Sequence, residues 1–293
     1  MASDDHSSGR RGHSRDQRRK AKKSVPRRNN AGRRGSKPAR TRGGSKRYPD
    51  QLEGRNLVLA SLRRSRRVRE IWLDEGARPC PKLQAIESLS QEYGTTLKKL
   101  PREQLDEVSM TAVHNGIIGF AEALPKQTLT EVLDRLDKEQ REPFLLILDQ
   151  VQYEQNLGAV LRSAACAGVD AIVVPTRRGA PLSATAQRIA MGAAEQVPVV
   201  RESMTSVLAQ LRRRAIRVLA AEASGNRPYF EANLCGAIAL VMGGEDRGVS
   251  AKLKEGCEEL LSIPIQGEVV TSLNVSVATG ILLFERLRQQ TMK

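Results

Sequence analysis

The sequence predicts an α/β protein whose larger, C-terminal part contains a mostly parallel sheet. Three observations support this fold class. From residue 143 onward, continuous apolar runs alternate with helical segments, a pattern typical of strands that are buried on both faces. Hydrophobic residues make up 40% of the 293 residues but aromatic ones only 3%, so the core must be aliphatic. The excess positive charge lies almost wholly in residues 1–47, which separates a basic tail from a nearly neutral globular remainder.

Residues 1–47 are predicted to form a disordered basic tail. They hold 17 of the 48 Lys and Arg residues and 3 of the 33 acidic residues, which is +14 of the net charge of +15. The segment contains one Val and no Leu, Ile or aromatic residue. It therefore cannot bury enough apolar surface to offset the conformational entropy that would be lost on ordering. Such a tail attracts RNA phosphates irrespective of sequence. The alternatives are a solubilising tail, a basic address or an Arg-rich transit peptide, of which Asp4 and Asp5 disfavour the last.

Residues 48–123 are predicted to form a small α/β domain. The predicted elements are, in order, helix 54–65, strand 68–73, helix 82–93, strand 95–100, helix 102–108 and strand 116–123. Gly94 is a suitable residue to end the second helix. Basic residues are dense from Arg63 to Arg69, and we predict that this stretch contacts RNA phosphates. The alternative is an ordinary solvated face.

Residues 124–142 are predicted to be a charged linker with a short helix over 129–136, and residues 143–293 a second domain. Its predicted strands are 144–148, 171–174, 197–200, 216–220, 237–242 and 260–265, and its helices 158–167, 183–194, 204–214 and 251–257. In parallel sheets, ligands bind beyond the carboxyl ends of the strands. Polar stretches follow three of these strands, over 149–162, 243–248 and 266–274, and we expect them to form one site.

The last of these stretches joins a strand to a helix through a Gly-containing loop within residues 263–285. The free N–H groups of the loop and of the helix N-terminus then point into one space, which is a common ligand-binding geometry. Ser272 and Asn274 are natural N-cap residues, so the alternative is that they only cap this helix.

Several classes of protein are disfavoured by missing motifs. No GxGxxG follows the first strand, and GGEDRG at 243–248 comes late and carries two acids, which disfavours a dinucleotide site. The absence of GxxxxGK[ST] excludes a P-loop NTPase. None of the four cysteines forms a CxxC pair or lies near a His, so we expect no metal site. No apolar run approaches ~18–20 residues, and we expect a cytoplasmic protein without a membrane segment.

Three ordered motifs resemble those of the SpoU/TrmH (SPOUT) family of RNA 2′-O-methyltransferases. Asn156-Leu157-Gly158-Ala159 with Arg162 is similar to the NxGAxxR motif, and Met242-Gly243-Gly244-Glu245 with Gly248 to the second motif. Ile263-Pro264-Ile265 followed by residues 272–278 is similar to the third. The globular part is most similar to bacterial 23S rRNA (guanosine-2′-O)-methyltransferases, in which a ribosomal-protein-like RNA-binding domain precedes the catalytic one.

The resemblance implies a trefoil knot in the C-terminal domain and a homodimer whose active sites are completed near the partner subunit. It also implies S-adenosylmethionine as cofactor, with Gly243, Gly244, Ile263 and Leu273 lining its pocket. For Ile263 and Leu273 the alternative is plain core packing. The implied reaction is methyl transfer to a ribose 2′-hydroxyl in RNA, with a guanosine of 23S rRNA as the expected acceptor.

The resemblance assigns catalytic roles to Arg162, Asn156, Glu245, Ser272 and Asn274. Arg162 either activates the hydroxyl or, because a guanidinium stays protonated, holds the adjacent phosphate and stabilises the developing alkoxide. Asn156 would orient Arg162 or the ribose. Glu245 would fix Arg162 or Asn274, unless it is simply a solvent-exposed loop acid. Ser272 and Asn274 would position the ribose or the cofactor.

Two other functions remain open from the sequence. One is a related 2′-O-methyltransferase that acts on transfer RNA or confers resistance by modifying ribosomal RNA. The other is a non-catalytic RNA-binding relative with a decayed pocket, against which the intact set of motif residues argues.

Overall fold

The computed structural model describes residues 48–244, 247–267, 269 and 271–292. The predicted tail over 1–47 and the candidate residue Glu245 lie outside the described residues. Within them, the chain forms one four-stranded sheet, followed by one seven-stranded sheet.

The first sheet belongs to the small domain. Its elements are β1 (Asp50–Glu53), α1 (Arg55–Arg64), β2 (Val68–Asp74), α2 (Pro81–Tyr93), β3 (Thr96–Leu100), α3 (Arg102–Val108) and β4 (Ile117–Ala121). The strand order is β1-β4-β2-β3, with β2 antiparallel to β4 and parallel to β3. The predicted helices and strands are confirmed, and Gly94 ends α2 in the left-handed conformation with φ 67°. Strand β1 was not predicted, because only one of its four residues is apolar.

The second sheet is parallel throughout its described pairings, as predicted. Its strands are β5 (Phe144–Asp149), β6 (Ala171–Pro175), β7 (Val199–Glu202), β8 (Arg217–Ala221), β9 (Arg227–Pro228), β10 (Ile238–Gly243) and β11 (Glu259–Ser262). Their order across the sheet is β7-β6-β5-β10-β8-β11-β9. The helices are α4 (Leu129–Lys138), α5 (Glu154–Cys166), α6 (Ala184–Ala190), α7 (Met204–Arg213), α8 (Ala251–Lys254) and α9 (Val275–Thr291).

Helices cover both faces of this sheet, which explains why its strands are apolar throughout. Along β5, Leu146 and Leu148 pack in the core beneath α5, α6 and α9, while Leu145 and Ile147 pack beneath α4, α7 and α8. Successive side chains of a strand point to opposite faces, so a strand covered on both sides buries every residue. Helix α4, which lies in the predicted linker, also packs onto this sheet through its buried apolar face.

Three boundaries differ from the prediction for local reasons. Helix α5 begins at Glu154, four residues before the predicted start, so Asn156 lies in its first turn. The predicted helix over 183–194 is broken, because Met191 and Gly192 take positive φ values of 54° and 96°. Strand β11 ends at Ser262. Since Pro264 cannot donate a ladder hydrogen bond, Ile263 belongs to the loop rather than to the strand.

The arginine-rich stretch of the small domain is not one solvated face, and the expectation that it is a basic RNA surface is wrong for Arg67. That guanidinium is only 4% exposed and is paired with acids. The Arg66 guanidinium lies 4.5 Å from the centre of the Tyr93 ring, and Arg69 pairs with Glu122 at 2.8 Å. The other four arginines of this stretch are exposed, so for them the RNA contact stays a prediction.

Among the described residues, no group of three or more His, Cys, Asp or Glu side chains is arranged to hold a metal ion. All four cysteines are free thiols. In the same part of the chain, no helix combines the length and the apolar character that crossing a membrane requires.

Candidate active site

A cavity of about 350 Å³ lies beyond the carboxyl ends of β8, β10 and β11 and beside the start of α9. This volume is within the usual range for small-molecule sites, about 300–1,000 Å³. The lining residues come from the ends of these strands, the loops after them and the first turn of α9: Ala221, Glu222, Ala223, Met242, Gly243, Gly244, Gly248, Leu261, Ile263, Ile265, Thr271, Ser272, Leu273, Asn274, Val275 and Ala278. The predicted edge of the sheet thus contains a pocket.

The four candidate cofactor-binding residues, Gly243, Gly244, Ile263 and Leu273, all line this cavity, and so do Ser272 and Asn274. The Leu273 side chain is 39% exposed and Ile263 is half-buried. A residue of the aliphatic core would be fully buried. Plain core packing therefore does not explain either residue, and both present apolar surface to the cavity.

The wall formed by the loop after β10 consists of main chain. A Cβ atom added to Gly243 would lie 2.2 Å from the carbonyl carbon of Gly248, and one on Gly244 would lie 2.5 Å from the carbonyl oxygen of Gln150. The Gly248 N–H donates to the Gly244 carbonyl at 3.0 Å, and its φ of 63° is left-handed. Only glycine fits these positions, and a bound ligand would meet peptide groups at close range.

Asn274 connects the cavity to helix α5. Its side-chain oxygen accepts from the Ser276 N–H at 2.9 Å and caps α9, while its amide nitrogen donates to Asn156 Oδ1 at 3.2 Å. Capping and site formation are therefore both roles of Asn274. Ser272 lines the cavity but is not the N-cap, so the capping alternative is wrong for Ser272.

Arg162 is the candidate that the single chain does not bring into the pocket. It lies six residues after Asn156 on α5, roughly 9 Å along the helix axis. Its side chain is exposed, and it is not among the described residues that line the cavity. Arg162 lies on the exposed face of α5 together with Gln155, seven residues earlier, and Cys166, four residues later. One copy of the chain therefore places Asn156 beside Asn274 at the pocket and leaves Arg162 on the outer face of α5.

Glu222 lines the cavity, although nothing in the sequence analysis singled it out. It follows β8, and its carboxylate accepts from the Val249 N–H at 3.3 Å and pairs with Lys254 at 2.8 Å. Its position in the sequence could have identified it. An acidic residue directly after a buried parallel strand must lie at the carboxyl edge of the sheet, where the other loops of the site lie. The stretch after β8 was not counted among the polar stretches of that edge.

Comparison with known proteins fits this geometry. Residues 143–284 match the model of the SpoU rRNA Methylase family, and residues 51–127 match that of the RNA 2′-O ribose methyltransferase substrate binding domain. A parallel α/β domain with a pocket at its carboxyl edge, preceded by a substrate-binding domain, defines the class of two-domain RNA methyltransferases.

The chain is 39% identical over 250 residues to the 23S rRNA (guanosine-2'-O-)-methyltransferase RlmB of Escherichia coli (strain K12), covering 83% of this chain and 99% of that protein. It is 41% identical to RlmB of Photorhabdus laumondii, covering 82% and 98%. The chain therefore belongs to the SpoU rRNA methylase family, and the resemblance inferred from its three motifs is confirmed.

Solved structures share the fold. A crystal structure of an RNA 2'-O ribose methyltransferase superposes with a TM-score of 0.69 at 28% identity, covering 82% of this chain and 88% of that one. The SpoU methyltransferase AviRb from Streptomyces viridochromogenes, solved with its cofactor AdoMet, has a TM-score of 0.68 at 21% identity, covering 82% and 90%.

Proposed function

We propose that this protein transfers a methyl group from S-adenosylmethionine to the ribose 2′-hydroxyl of a guanosine in 23S rRNA, in the bacterial cytoplasm. The observation that carries the proposal is that all four candidate cofactor residues line one cavity. The substrate is argued from the two relatives above, which align with this chain over nearly their whole length and are named for that reaction.

The cavity suits S-adenosylmethionine chemically. Ile263 and Leu273 offer apolar surface to the adenine ring, and the peptide groups around Gly243 and Gly244 can bond its polar edges. The Glu222 carboxylate, although paired with Lys254, offers a hydrogen-bond acceptor to the amino group of the cofactor. When bound, this cofactor supplies an electrophilic methyl group.

The chain's own residues would align the acceptor and stabilise its charge. Asn274, held by Asn156, is placed to position the ribose at the mouth of the cavity. Alignment of the hydroxyl alone can contribute several kcal/mol to catalysis. Because a guanidinium is a cationic fork of donors, we assign Arg162 to the adjacent phosphate and to the alkoxide that develops as the hydroxyl loses its proton. Glu245 remains a candidate for fixing Arg162 or Asn274.

The outward position of Arg162 leads us to propose a homodimer. Helix α9 presents an apolar stripe of Val277, Ile281 and Phe284, in which Val277 is 52% and Phe284 48% exposed while Ile281 is half-buried. These residues are spaced to share one helix face. Exposed Tyr153 precedes α5, which packs beside α9. We call Tyr153, Val277, Ile281 and Phe284 the α9 face. Exposed apolar side chains of this kind mark an interface, and we propose that a symmetric pair formed here brings each copy's Arg162 to the other copy's cavity.

The variant Phe284→Glu is expected to convert the dimer to a monomer, because it places a charge on the α9 face. The rate of methyl transfer should also fall, since each cavity in the monomer would lose the second copy's Arg162. Size-exclusion chromatography with light scattering measures the mass. Val113→Glu is the matched control, because Val113 is 44% exposed in the small domain, away from this face. A dimeric Phe284→Glu variant, or an active monomeric wild type, would contradict the proposal.

For the RNA we propose a basic pocket of the small domain, formed by Arg55, Lys82 and Arg102 between the starts of α1 and α2. These residues surround a cavity of about 700 Å³. The Lys82 ammonium donates to Asn56 at 2.6 Å, and Arg102 lies 3.6 Å from Asp74. A backbone hydrogen bond from Leu83, followed by contacts with Arg55 and Lys82, lowers the pKa of the Cys80 thiol in this pocket. Donors and positive charge therefore converge there, which suits an RNA phosphate.

The double variant Arg55→Ala/Lys82→Ala is expected to weaken RNA binding and to flatten its salt dependence. Each lost phosphate contact lowers the slope of log K against log salt by roughly 0.7–0.9. Fluorescence anisotropy with an rRNA fragment at several salt concentrations measures this, while S-adenosylmethionine affinity should not change. Lys99→Ala is the control, since Lys99 is an exposed cation on β3 paired with Glu87. An unchanged slope in the double variant would place the RNA elsewhere.

The reaction itself is tested by mass spectrometry of ribosomal RNA from a strain that lacks this gene. One 2′-O-methylguanosine of 23S rRNA should be missing and should return on complementation. Assays on transfer RNA fragments test the alternative substrate, and calorimetry with S-adenosylmethionine tests for a non-catalytic relative, which would not bind it.

We further propose that residues 143–293 form a trefoil-knotted methyltransferase domain and residues 48–123 a ribosomal-protein-like RNA-binding domain, joined through residues 124–142. One close approach between separate segments is compatible with the knot. A Cβ on Gly225 would lie 2.5 Å from the carbonyl carbon of Leu261, so the loop after β8 passes directly against β11.

A further inference from the structure

The small domain is joined to the large one by a buried ionic contact. All five N–H donors of the Arg67 guanidinium are used. Its Nε and Nη2 donate to the Glu195 carboxylate at 3.0 and 2.7 Å, and Nη2 also donates to Gln187 at 3.0 Å. Its Nη1 donates to Asp50 at 2.6 Å and to the Glu122 carbonyl at 2.5 Å. The Glu195 side chain is fully buried. Arg67 thus binds both domains at once.

A steric contact beside it fixes the same arrangement. Gly192 has a φ of 96°, and a Cβ at this position would lie 2.3 Å from the Ala60 Cβ on α1. The Ser61 hydroxyl, also on α1, donates to Glu195 at 2.5 Å. Helix α1 therefore lies against the turn at 192–195 at a distance that only glycine permits. Buried ion pairs add little net stability but can select one arrangement.

The contact lies between the two regions that the proposed reaction needs. Helix α1 begins at Arg55, in the basic pocket. On the other side, α6 packs directly against α5, because a Cβ on Gly158 would lie 2.7 Å from both the Ala186 carbonyl oxygen and the Ile189 Cβ. Helix α5 carries Asn156 and Arg162. Close contacts thus run without a break from the basic pocket to the catalytic helix.

We propose that Arg67 and Glu195 are positioning residues that determine which nucleotide is methylated. By fixing the small domain, they hold an RNA bound in the basic pocket in one register relative to α5, so that a single ribose reaches the cofactor cavity. When the small domain is fixed, RNA bound in the basic pocket is already aligned with the cofactor cavity. Entry of the ribose then costs less conformational entropy. With a mobile small domain, neighbouring nucleotides would enter the cavity. This inference rests on the proposed function.

The test uses the full chain with two variants. Ala60→Leu places a larger side chain where α1 meets Gly192, and Arg67→Lys keeps the charge but removes the planar fork of donors. Each domain has its own apolar core, so separation should not unfold either one. Methylation is mapped at every ribose of an rRNA fragment, together with KM for RNA, S-adenosylmethionine affinity and small-angle scattering. The control is Arg69→Ala, which removes only an exposed ion pair.

Both variants are expected to be more extended in solution and to place at least tenfold more methyl groups at secondary sites. KM for RNA should rise, while S-adenosylmethionine affinity stays at the wild-type value and Arg69→Ala keeps the wild-type profile. A slower variant that still methylates one nucleotide would overturn the inference, and so would two variants whose domains remain docked. An inactive wild type would instead overturn the proposed function.

Discussion

Replacing Arg162 with Lys is expected to lower kcat for methyl transfer by about 10²–10³-fold, or about 2.7–4 kcal/mol of barrier. Lys keeps the positive charge but lacks the planar fork that can hold a phosphate and a developing alkoxide together. Since the Arg162 side chain is exposed on α5, the free energy of unfolding should change by less than about 0.5 kcal/mol.

Single-turnover transfer from labelled S-adenosylmethionine to an rRNA fragment measures this rate, and calorimetry should show unchanged cofactor affinity. The control is Arg213→Lys on α7, an exposed arginine whose Nε donates to the Ala209 carbonyl. A kcat near that of the wild type would show that Arg162 neither activates the acceptor nor stabilises its charge.

A second variant at this position tests whether Arg162 acts across the dimer. Arg162→Ala is mixed with Leu273→Glu, which disables the cavity without disturbing the core because Leu273 is partly exposed. If Arg162 serves the other copy's cavity, each mixed dimer has one intact site, and random mixing should restore about a quarter of the wild-type activity. If Arg162 serves its own cavity, no mixed dimer has an intact site and the activity stays at the level of the single variants.

Replacing Gly243 with Ala is expected to reduce S-adenosylmethionine affinity by at least about 100-fold, or about 2.7 kcal/mol. The added Cβ would lie 2.2 Å from the Gly248 carbonyl carbon and 2.4 Å from the Val249 nitrogen. Both are backbone atoms, so the loop after β10 must move and its peptide groups leave the positions that face the ligand. Overpacking of this kind should also lower the free energy of unfolding by about 1–3 kcal/mol.

Calorimetry and urea unfolding, performed on the same preparation, separate the two effects. Gly76→Ala is the matched control, because its Cβ would meet only the side-chain oxygen of Asp74 at 3.3 Å, in a turn of the small domain. A folded Gly243→Ala variant that binds S-adenosylmethionine within a few-fold of the wild type would show that this loop does not form the cofactor site.

The sequence by itself determined the parallel sheet and most of the cavity. Apolar runs without polar alternation require strands covered on both faces, and the carboxyl ends of parallel strands must share an edge. Residues 243–248 and 266–274 could therefore be grouped before any coordinates, whereas the assignment of Gly243, Ile263 and Leu273 to one pocket came from the resemblance of their motifs. Short elements such as β1 and β9 were missed, because two to four residues carry too little periodicity to register.

Only the tertiary structure decided where these two arginines lie. Arg67 lies in a run of basic residues that suggests a solvated face, yet it is buried against Glu195, which is 128 residues away in the chain. Arg162 lies in a motif with Asn156, yet the helix turns its side chain outward from the cavity of its own chain. Periodicity shows that a helix has a buried face, but not which distant element covers it. That is set by the packing of one domain on another.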